Sequence, residues 1–541
     1  MTPSFASHNP TVPQQPPDGS LAALPRRAVE SRDPATGTVW RRFDALDAAQ
    51  VDALVARARS AQLAWQGRPL RERIDALDAF HGELFRRRLD VAGIISRENG
   101  KAIPEALASE VAVTLDMVRF VTRNAPTLLS APWFTPSSLA FWRKRARIEH
   151  EPFGVIAVIS PWNYPFMLPA GLVLAALVTG NVVVLKPSEF TPSSAALLAE
   201  LFQAAGLPEG VFSVAQGDGV TGSCLTRARV DKVFFTGSEA TGRRVALACA
   251  DRLIPCVLEL GGSDAAVVLR DADVGHAASG ILWGRFANGG QTCVAPKRDF
   301  VEQEAYPAFV AAMRDRIARL RASPAADGSF DVGGLIRPSQ GVALASQLND
   351  ALENGAQIVA RSSLGSNQHD AIVPTVLTDA PPHARVLREE TFGPLLPILS
   401  VRDAEEAVER ANDTAFGLSA SVWSRDRARA LGVARRLCAG TVMINDSATV
   451  AGMPDIPHGG VKASGTGRAH GMAGLEECVR PRATIDDRFT SWRQAWWFGY
   501  SPRSTANFDS FIRLAHGRSL RVRFGGIAGS LRLLFRPDRP V

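Results

Sequence analysis

The sequence predicts an α/β protein built from two doubly wound lobes, and two patterns carry that expectation. From Val155–Ile159 onward, apolar runs at Val182–Lys186, 211–215, 232–235 and 256–260 begin roughly 20 to 30 residues apart and alternate with helical stretches, the rhythm of βαβ units and a parallel sheet. A second α/β block runs from Ser263 to Asn445, with helical periodicity over 307–320 and 404–411. Two such lobes enclose a cleft. A length of 541 residues gives a prior of about three to four domains, and 46% hydrophobic residues fill sizeable cores.

Composition excludes several classes. The longest apolar runs, such as 172–178, stop far short of the ~18 residues that span a bilayer. The first 30 residues hold no charged segment followed by an apolar stretch, and Pro10, Pro13, Pro16 and Pro17 with Gln14 and Gln15 read as a disordered arm over 1–30. Six cysteines, at 224, 249, 256, 293, 438 and 478, show no CxxC spacing, so neither a metal site nor a disulfide framework is expected. A reduced, cytoplasmic setting fits best. The net charge of +7 is not spread evenly: residues 485–541 hold ten Arg, no Lys and four Asp, a net of +6, which leaves 7 − 6 = +1 for residues 1–484.

Cys293 ends a glycine-rich run, Asn288-Gly289-Gly290-Gln291-Thr292-Cys293, and Glu259 lies upstream in Leu258-Glu259-Leu260-Gly261-Gly262. Glycines let the backbone turn tightly and approach a ligand closely, which leaves a sulfur at a cleft instead of inside a helix. A thiol nucleophile and a carboxylate base suit covalent catalysis. Taken alone, Cys293 reads more readily as a buried, inert thiol and Glu259 as an exposed strand end.

The wider context decides between these readings. The chain also contains Ser160-Pro161-Trp162-Asn163-Tyr164-Pro165, Leu185-Lys186-Pro187-Ser188-Glu189, Phe235-Thr236-Gly237-Ser238 followed by Gly242, Glu390-Thr391-Phe392-Gly393-Pro394 and Gly459-Gly460-Val461-Lys462-Ala463-Ser464-Gly465. Together, in this order and from about Asp33 to about Thr484, they resemble the aldehyde dehydrogenase superfamily. The resemblance implies a cofactor-binding lobe from 31–145 and 154–262 and a catalytic lobe from 263–445. It further implies a small bridging sheet from 146–153 and 479–487 used for homodimer or homotetramer assembly and a return segment at the cleft over 446–478; outside the resemblance, residues 488–541 read as a basic aromatic tail.

No Gly-x-Gly-x-x-Gly loop follows the strand ending at Ile159, so the ordinary dinucleotide fingerprint is absent. The resemblance places a diphosphate at the helix opened by Thr236, Gly237 and Ser238, where free N–H groups and a helix dipole attract anions. It places Lys186, Ser188 and Glu189 at the adenosine ribose, Glu390 and Phe392 at the nicotinamide riboside, and Trp162 at the nicotinamide pocket, with Ser160, Gly219, Phe235 and Leu260 also lining the groove. A carboxylate at 189 accepts hydrogen bonds from both ribose hydroxyls and repels a 2′-phosphate. NAD is therefore expected in preference to NADP.

The implied reaction converts an aldehyde to a carboxylic acid through a cysteine thiohemiacetal and a thioester. Cys293 would attack, Asn163 and the Cys293 N–H would hold the oxyanion, and Glu259 would activate the hydrolytic water. A glutamate at 259 points to water and not to coenzyme A as the acyl acceptor. Trp162, Tyr164, Phe166 and Met167 suggest an apolar entrance that favours medium-chain aliphatic or aromatic aldehydes over small dicarboxylic semialdehydes. Three positions depart from the family pattern: Ser263 where Lys is common, His458 where Phe is usual, and Arg480 where some relatives carry an acid. Two other readings stay in view, a catalytically silent structural relative and a membrane-surface enzyme for lipid-derived aldehydes. The second draws on the tail, where tryptophans and arginines interleave with apolar residues. No nucleic-acid module accompanies the arginines.

Overall fold

The computed structural model describes residues 27–322, 330–364, 372–489 and 494–535, so most of the expected N-terminal arm lies outside the described residues. The chain is already a strand at Ala28–Arg32.

The two apolar blocks form two separate, largely parallel sheets. In the first, the strand order is Gly465–Thr466, Cys256–Glu259, Lys232–Thr236, Val155–Ile159, Val182–Lys186, Phe212–Val214. Val155–Ile159 and Val182–Lys186 are buried at every position, which explains why both read as near-continuous apolar runs rich in β-branched residues and not as alternating ones. Between them the helix Met167–Val178 is buried on all sides, the burial expected for a helix with no polar face.

From Val155–Ile159 the chain winds outward one way through 182 and 212, then returns to the other side of Val155–Ile159 with Lys232–Thr236. The point of reversal opens a crevice at the carboxyl ends of these two strands, the usual ligand position in an open α/β sheet. Ser160 and Trp162 follow one strand, and Gly237 and Ser238 follow the other.

The second sheet has seven strands in the order Gln357–Arg361, Thr375–Thr378, Leu395–Val401, Pro296–Glu302, Asp264–Val268, Ser419–Trp423, Thr441–Ile444. Among these seven, Gln357–Arg361 alone runs antiparallel, at an edge. Its two faces pack separate cores, one around Leu344, Leu377 and Leu399 and one around Ile281, Phe309 and Trp423.

A third, two-stranded ribbon pairs Lys144–Pro152 with Val479–Asp487 in antiparallel register from Val479↔Pro152 to Asp487↔Lys144. Just before that ribbon strand the chain re-enters the first sheet, where Gly465 pairs with Glu259. Gly465 has φ +128° and a Cβ there would collide with the Leu258 carbonyl, so only glycine lets this segment lie against the strand that carries Glu259.

Candidate active site

The loop before Cys293 is left-handed at three successive residues, Asn288 (φ 53°), Gly289 (64°) and Gly290 (73°). A Cβ on Gly290 would lie 2.6 Å from the backbone of Gly393. The turn therefore brings the cysteine loop against the Glu390-to-Pro394 segment, a conformation that L side chains other than Asn resist. Cys293 emerges immediately before the buried strand Pro296–Glu302.

Asn163 is held from several directions. Its carbonyl accepts hydrogen bonds from Asn288 Nδ2 (2.8 Å), Asn99 Nδ2 (3.1 Å) and Lys101 Nζ (3.1 Å), and its own Nδ2 donates to the Gln291 carbonyl at 3.0 Å. An amide nitrogen carries two hydrogens, so one remains for a ligand. Lys101 is itself paired with Glu110 at 2.7 Å, both side chains wholly buried. Glu110 also accepts the N–H groups of Phe166 (3.1 Å) and Met167 (2.8 Å). This buried pair clamps the Trp162–Asn163 loop. Nothing in the spacing of Lys101 and Glu110 set them apart from a solvated helical pair.

A single cavity of about 1260 Å³ is lined by Cys293, Glu259, Asn163, Ser160, Trp162, Lys186, Ser188, Glu189, Gly219, Phe235, Thr236, Gly237, Ser238, Leu260, Glu390 and Phe392. It runs from the crevice of the first sheet to the cysteine. Trp162 and Phe392 meet edge to face across it, with ring centroids 5.4 Å apart. Glu390 accepts the Gly262 N–H at 3.1 Å, and a Cβ on Gly261 would strike the same carboxylate. The cavity passes the N-terminus of the helix Glu239–Ala250 and follows its length, with Lys186 and several arginines on its walls, which fits a dinucleotide.

The site is strongly desolvated. Cys293 is partly exposed to the cavity, yet burial pushes its thiol up to about 12, with Lys297 opposing and Asp264, Glu390 and Glu259 reinforcing the shift. Burial likewise raises Glu259 well above the carboxylate range, with Arg468 and the Ala469 N–H pulling the other way. Neither Glu259 oxygen has a hydrogen-bond partner of its own among the described residues. His458 stands beside it, with Nε2 3.9 Å from Oε2. Burial holds His458 neutral, at about 4.

Lys297 was not singled out by sequence reasoning. It is completely buried and donates to the carbonyls of Thr292 (3.1 Å), Cys293 (2.6 Å) and Ala295 (3.4 Å). Burial lowers its pKa. Its position four residues after the cysteine was the only signal.

Some expectations fail. Phe166 and Met167 are buried in the first core and do not form an entrance, and Tyr164 is hydrogen-bonded to Thr292 at 2.9 Å. Of the entrance residues, only Trp162 lines the cavity. Arg480 is exposed on the ribbon opposite Glu151 and does not line the cavity. Ser263 is buried, and its carbonyl accepts two hydrogen bonds from Arg298.

Comparison with known proteins extends these observations. The aldehyde dehydrogenase family model matches residues 22–484. The chain is 37% identical over 497 residues to the 4,4'-diapolycopene aldehyde oxidase of Methylomonas sp., covering 92% of this chain and 93% of that protein. It is 35% identical over 461 residues to the succinate-semialdehyde dehydrogenase [NADP(+)] of Deinococcus radiodurans, covering 84% and 94%. Among solved structures, an NADP-dependent enzyme of E. coli superposes with a TM-score of 0.81 at 32% identity, covering 85% of this chain and 95% of that one.

These relatives correct the expectation of NAD, because the succinate-semialdehyde dehydrogenases among them are named for NADP(+). The reason lies around Glu189. Its carboxylate is 3.5 Å from Lys186 Nζ, and Arg227, Arg244, Arg252 and Arg337 line the same cavity. Against them stand Asp218, which is paired with Arg27 at 2.8 Å, and Asp251. One carboxylate therefore does not fix the sign of the field at the ribose. With the match spanning nearly all of both lobes, the chain belongs to the aldehyde dehydrogenase family, whose members oxidise aldehydes to carboxylic acids.

Proposed function

We propose that this protein is an NADP-linked, hydrolytic aldehyde dehydrogenase for an extended apolar aldehyde. The observation that carries the substrate class is the apolar cluster around the cysteine: Cys293 packs with Val294, Leu418 and Val450, joined by Met443, Ala448 and Ala451. Met443, Ala448 and Ala451 are only partly buried beside the nucleophile, and apolar surroundings of this kind favour a hydrocarbon chain over a second carboxylate. The similarity to a protein named for a diapolycopene aldehyde supports the same class.

Cys293 attacks the aldehyde carbon, forming a C–S bond and an oxyanion that the free Asn163 N–H and the Cys293 backbone N–H stabilise. Oxyanion donors of this kind are worth roughly 3–4 kcal/mol each. Ser160, Lys186, Gly237 and Glu390 on the groove would hold the nicotinamide dinucleotide, which when bound would supply the acceptor for the hydride of the thiohemiacetal carbon. The thioester is then cleaved by water, whose proton goes to Glu259.

The thiol needs a base because, pushed up to about 12, almost none of it is ionised at neutral pH. Glu259 shares its cavity and serves both proton transfers. The clamp of Lys101, Glu110 and Asn288 keeps Asn163 oriented, and Lys297 fixes the loop carbonyls around the sulfur. Initial rates with a long-chain apolar aldehyde, a short aliphatic one and succinate semialdehyde, each with NADP and NAD, test this reading. The apolar aldehyde with NADP is expected to give the highest kcat/KM, and preference for succinate semialdehyde would overturn the assignment.

A further inference from the structure

Past the ribbon the chain forms three helices, Pro502–His516, Leu520–Gly525 and Ile527–Phe535, that pack chiefly on one another. Pro502–His516 lies against both of the others. The unit is tethered at its root: Gln494 donates to Asp487 on the ribbon, and Trp496 sits beneath Phe141, with ring centroids 5.3 Å apart and edge to face.

Inside the unit, Leu533 and Ser530 are buried. Outside it the pattern reverses. Leu520 is 72% exposed and Phe524 66%, and Val522, Ile512 and Leu531 are exposed as well. Isolated exposed apolar residues are unremarkable, but these are clustered on three short helices and interleaved with arginine.

Residues 494–535 contain six arginines, no lysine and one acid, Asp509, a net of +5. Asp509 is bound to Arg513 at 2.7 Å. Arg503, Arg518, Arg521 and Arg532 have no ion-pair partner among the described residues. In the helix Leu520–Gly525 the residues Leu-Arg-Val-Arg-Phe are all exposed, and Leu520 and Phe524, four apart, lie on the same side. No helix among the described residues is long and apolar enough to cross a membrane.

We propose that this three-helix tail is a docking surface for an anionic lipid bilayer. Leu520, Phe524 and Leu531 enter the headgroup boundary, and Arg518, Arg521 and Arg532 bind lipid phosphates. Charge complementarity selects this occupant: a second copy of the chain would bring its own unpaired arginines to the contact, whereas anionic headgroups neutralise them. The surface rests on the tail's own residues. The proposed apolar substrate gives it a use, since such an aldehyde partitions into lipid, and a docked enzyme meets it there.

The test is co-sedimentation of the full-length protein, without cofactor or aldehyde, with vesicles of phosphatidylcholine alone and of phosphatidylcholine with phosphatidylglycerol. Binding is expected only to the anionic vesicles and is expected to weaken steeply with salt. Reversing Arg518, Arg521 and Arg532 to Glu removes contacts worth roughly fivefold each in affinity, so binding should fall by at least about a hundredfold. Leu520→Ser with Phe524→Ser should weaken binding even at low salt. Turnover of a water-soluble aldehyde should be unchanged in all variants.

Equal binding to both vesicle types, or none, overturns the proposal whatever the variants do. So does a charge-reversed protein that binds like the parent. If light scattering shows that the variants change subunit number instead of lipid binding, the surface belongs to a second copy and the proposal fails. Because no aldehyde is present, these outcomes are independent of the substrate assignment.

Discussion

Replacing Glu259 by glutamine separates two consequences of one buried charge. The carboxylate is 5% exposed and its oxygens lack hydrogen-bond partners among the described residues, and burial raises its pKa well above the usual range. For stability the sign follows from proton counting. Below the unfolded-state pKa both states are protonated and the site costs nothing. As pH rises through that value the unfolded chain ionises while the folded one holds its proton, so the folded state binds more protons and stability falls. Each unit of elevation costs about 1.4 kcal/mol at pH above the folded pKa.

Glutamine has the same shape and no charge, so Glu259→Gln should raise the melting temperature near pH 8 and change it little near pH 4. For catalysis the direction is opposite. Loss of a general base slows hydrolysis of the thioester by roughly 10²- to 10⁴-fold, while hydride transfer from an adduct already formed persists. Rapid mixing should therefore show one equivalent of reduced cofactor per active site, followed by a near stall. An unchanged steady-state rate refutes the role of Glu259 in deacylation. A lost burst assigns it to activation of the thiol, and a lower melting temperature at pH 8 refutes the account of its buried charge.

Cys293→Ser should abolish turnover while NADP binding, followed by fluorescence, survives, because the cofactor groove lies on the first sheet; about a tenth of the turnover remaining would rule Cys293 out as nucleophile. With the thiol pushed up to about 12, its alkylation in the cofactor-free enzyme should accelerate about tenfold per pH unit from pH 7 to 10, and a plateau near pH 8 would contradict that environment. Glu189→Ser should increase the NADP-over-NAD ratio of kcat/KM, since it removes the carboxylate nearest Lys186 and leaves the arginines of the cavity; an unchanged ratio would show that position 189 does not face the 2′-phosphate. His458→Phe removes an imidazole 3.9 Å from Glu259 and replaces it with hydrocarbon, so the acidic limb of the kcat–pH profile should move to higher pH; a profile identical to the parent's would leave His458 without influence on the base.

The parts of this protein that were legible in its sequence are those whose chemistry is local. A glycine run before a cysteine encodes the left-handed turn at 288–290, and fully apolar five-residue runs encode strands covered on both faces, because backbone sterics and burial act within a few residues. Other features were decided only in three dimensions. Lys101 and Asn99 reach Asn163, and Glu110 reaches Phe166 and Met167, from more than fifty positions away, and no periodicity marks a charged pair as buried. Phe166 and Met167 read as an entrance and proved to be core, since an apolar side chain reads the same in either place until packing assigns it. Glu189 suggested one cofactor from its own charge, but electrostatic potential is a sum over every nearby group. Lys186 and the arginines at 227, 244, 252 and 337 enter that sum only after the chain has folded them onto one wall.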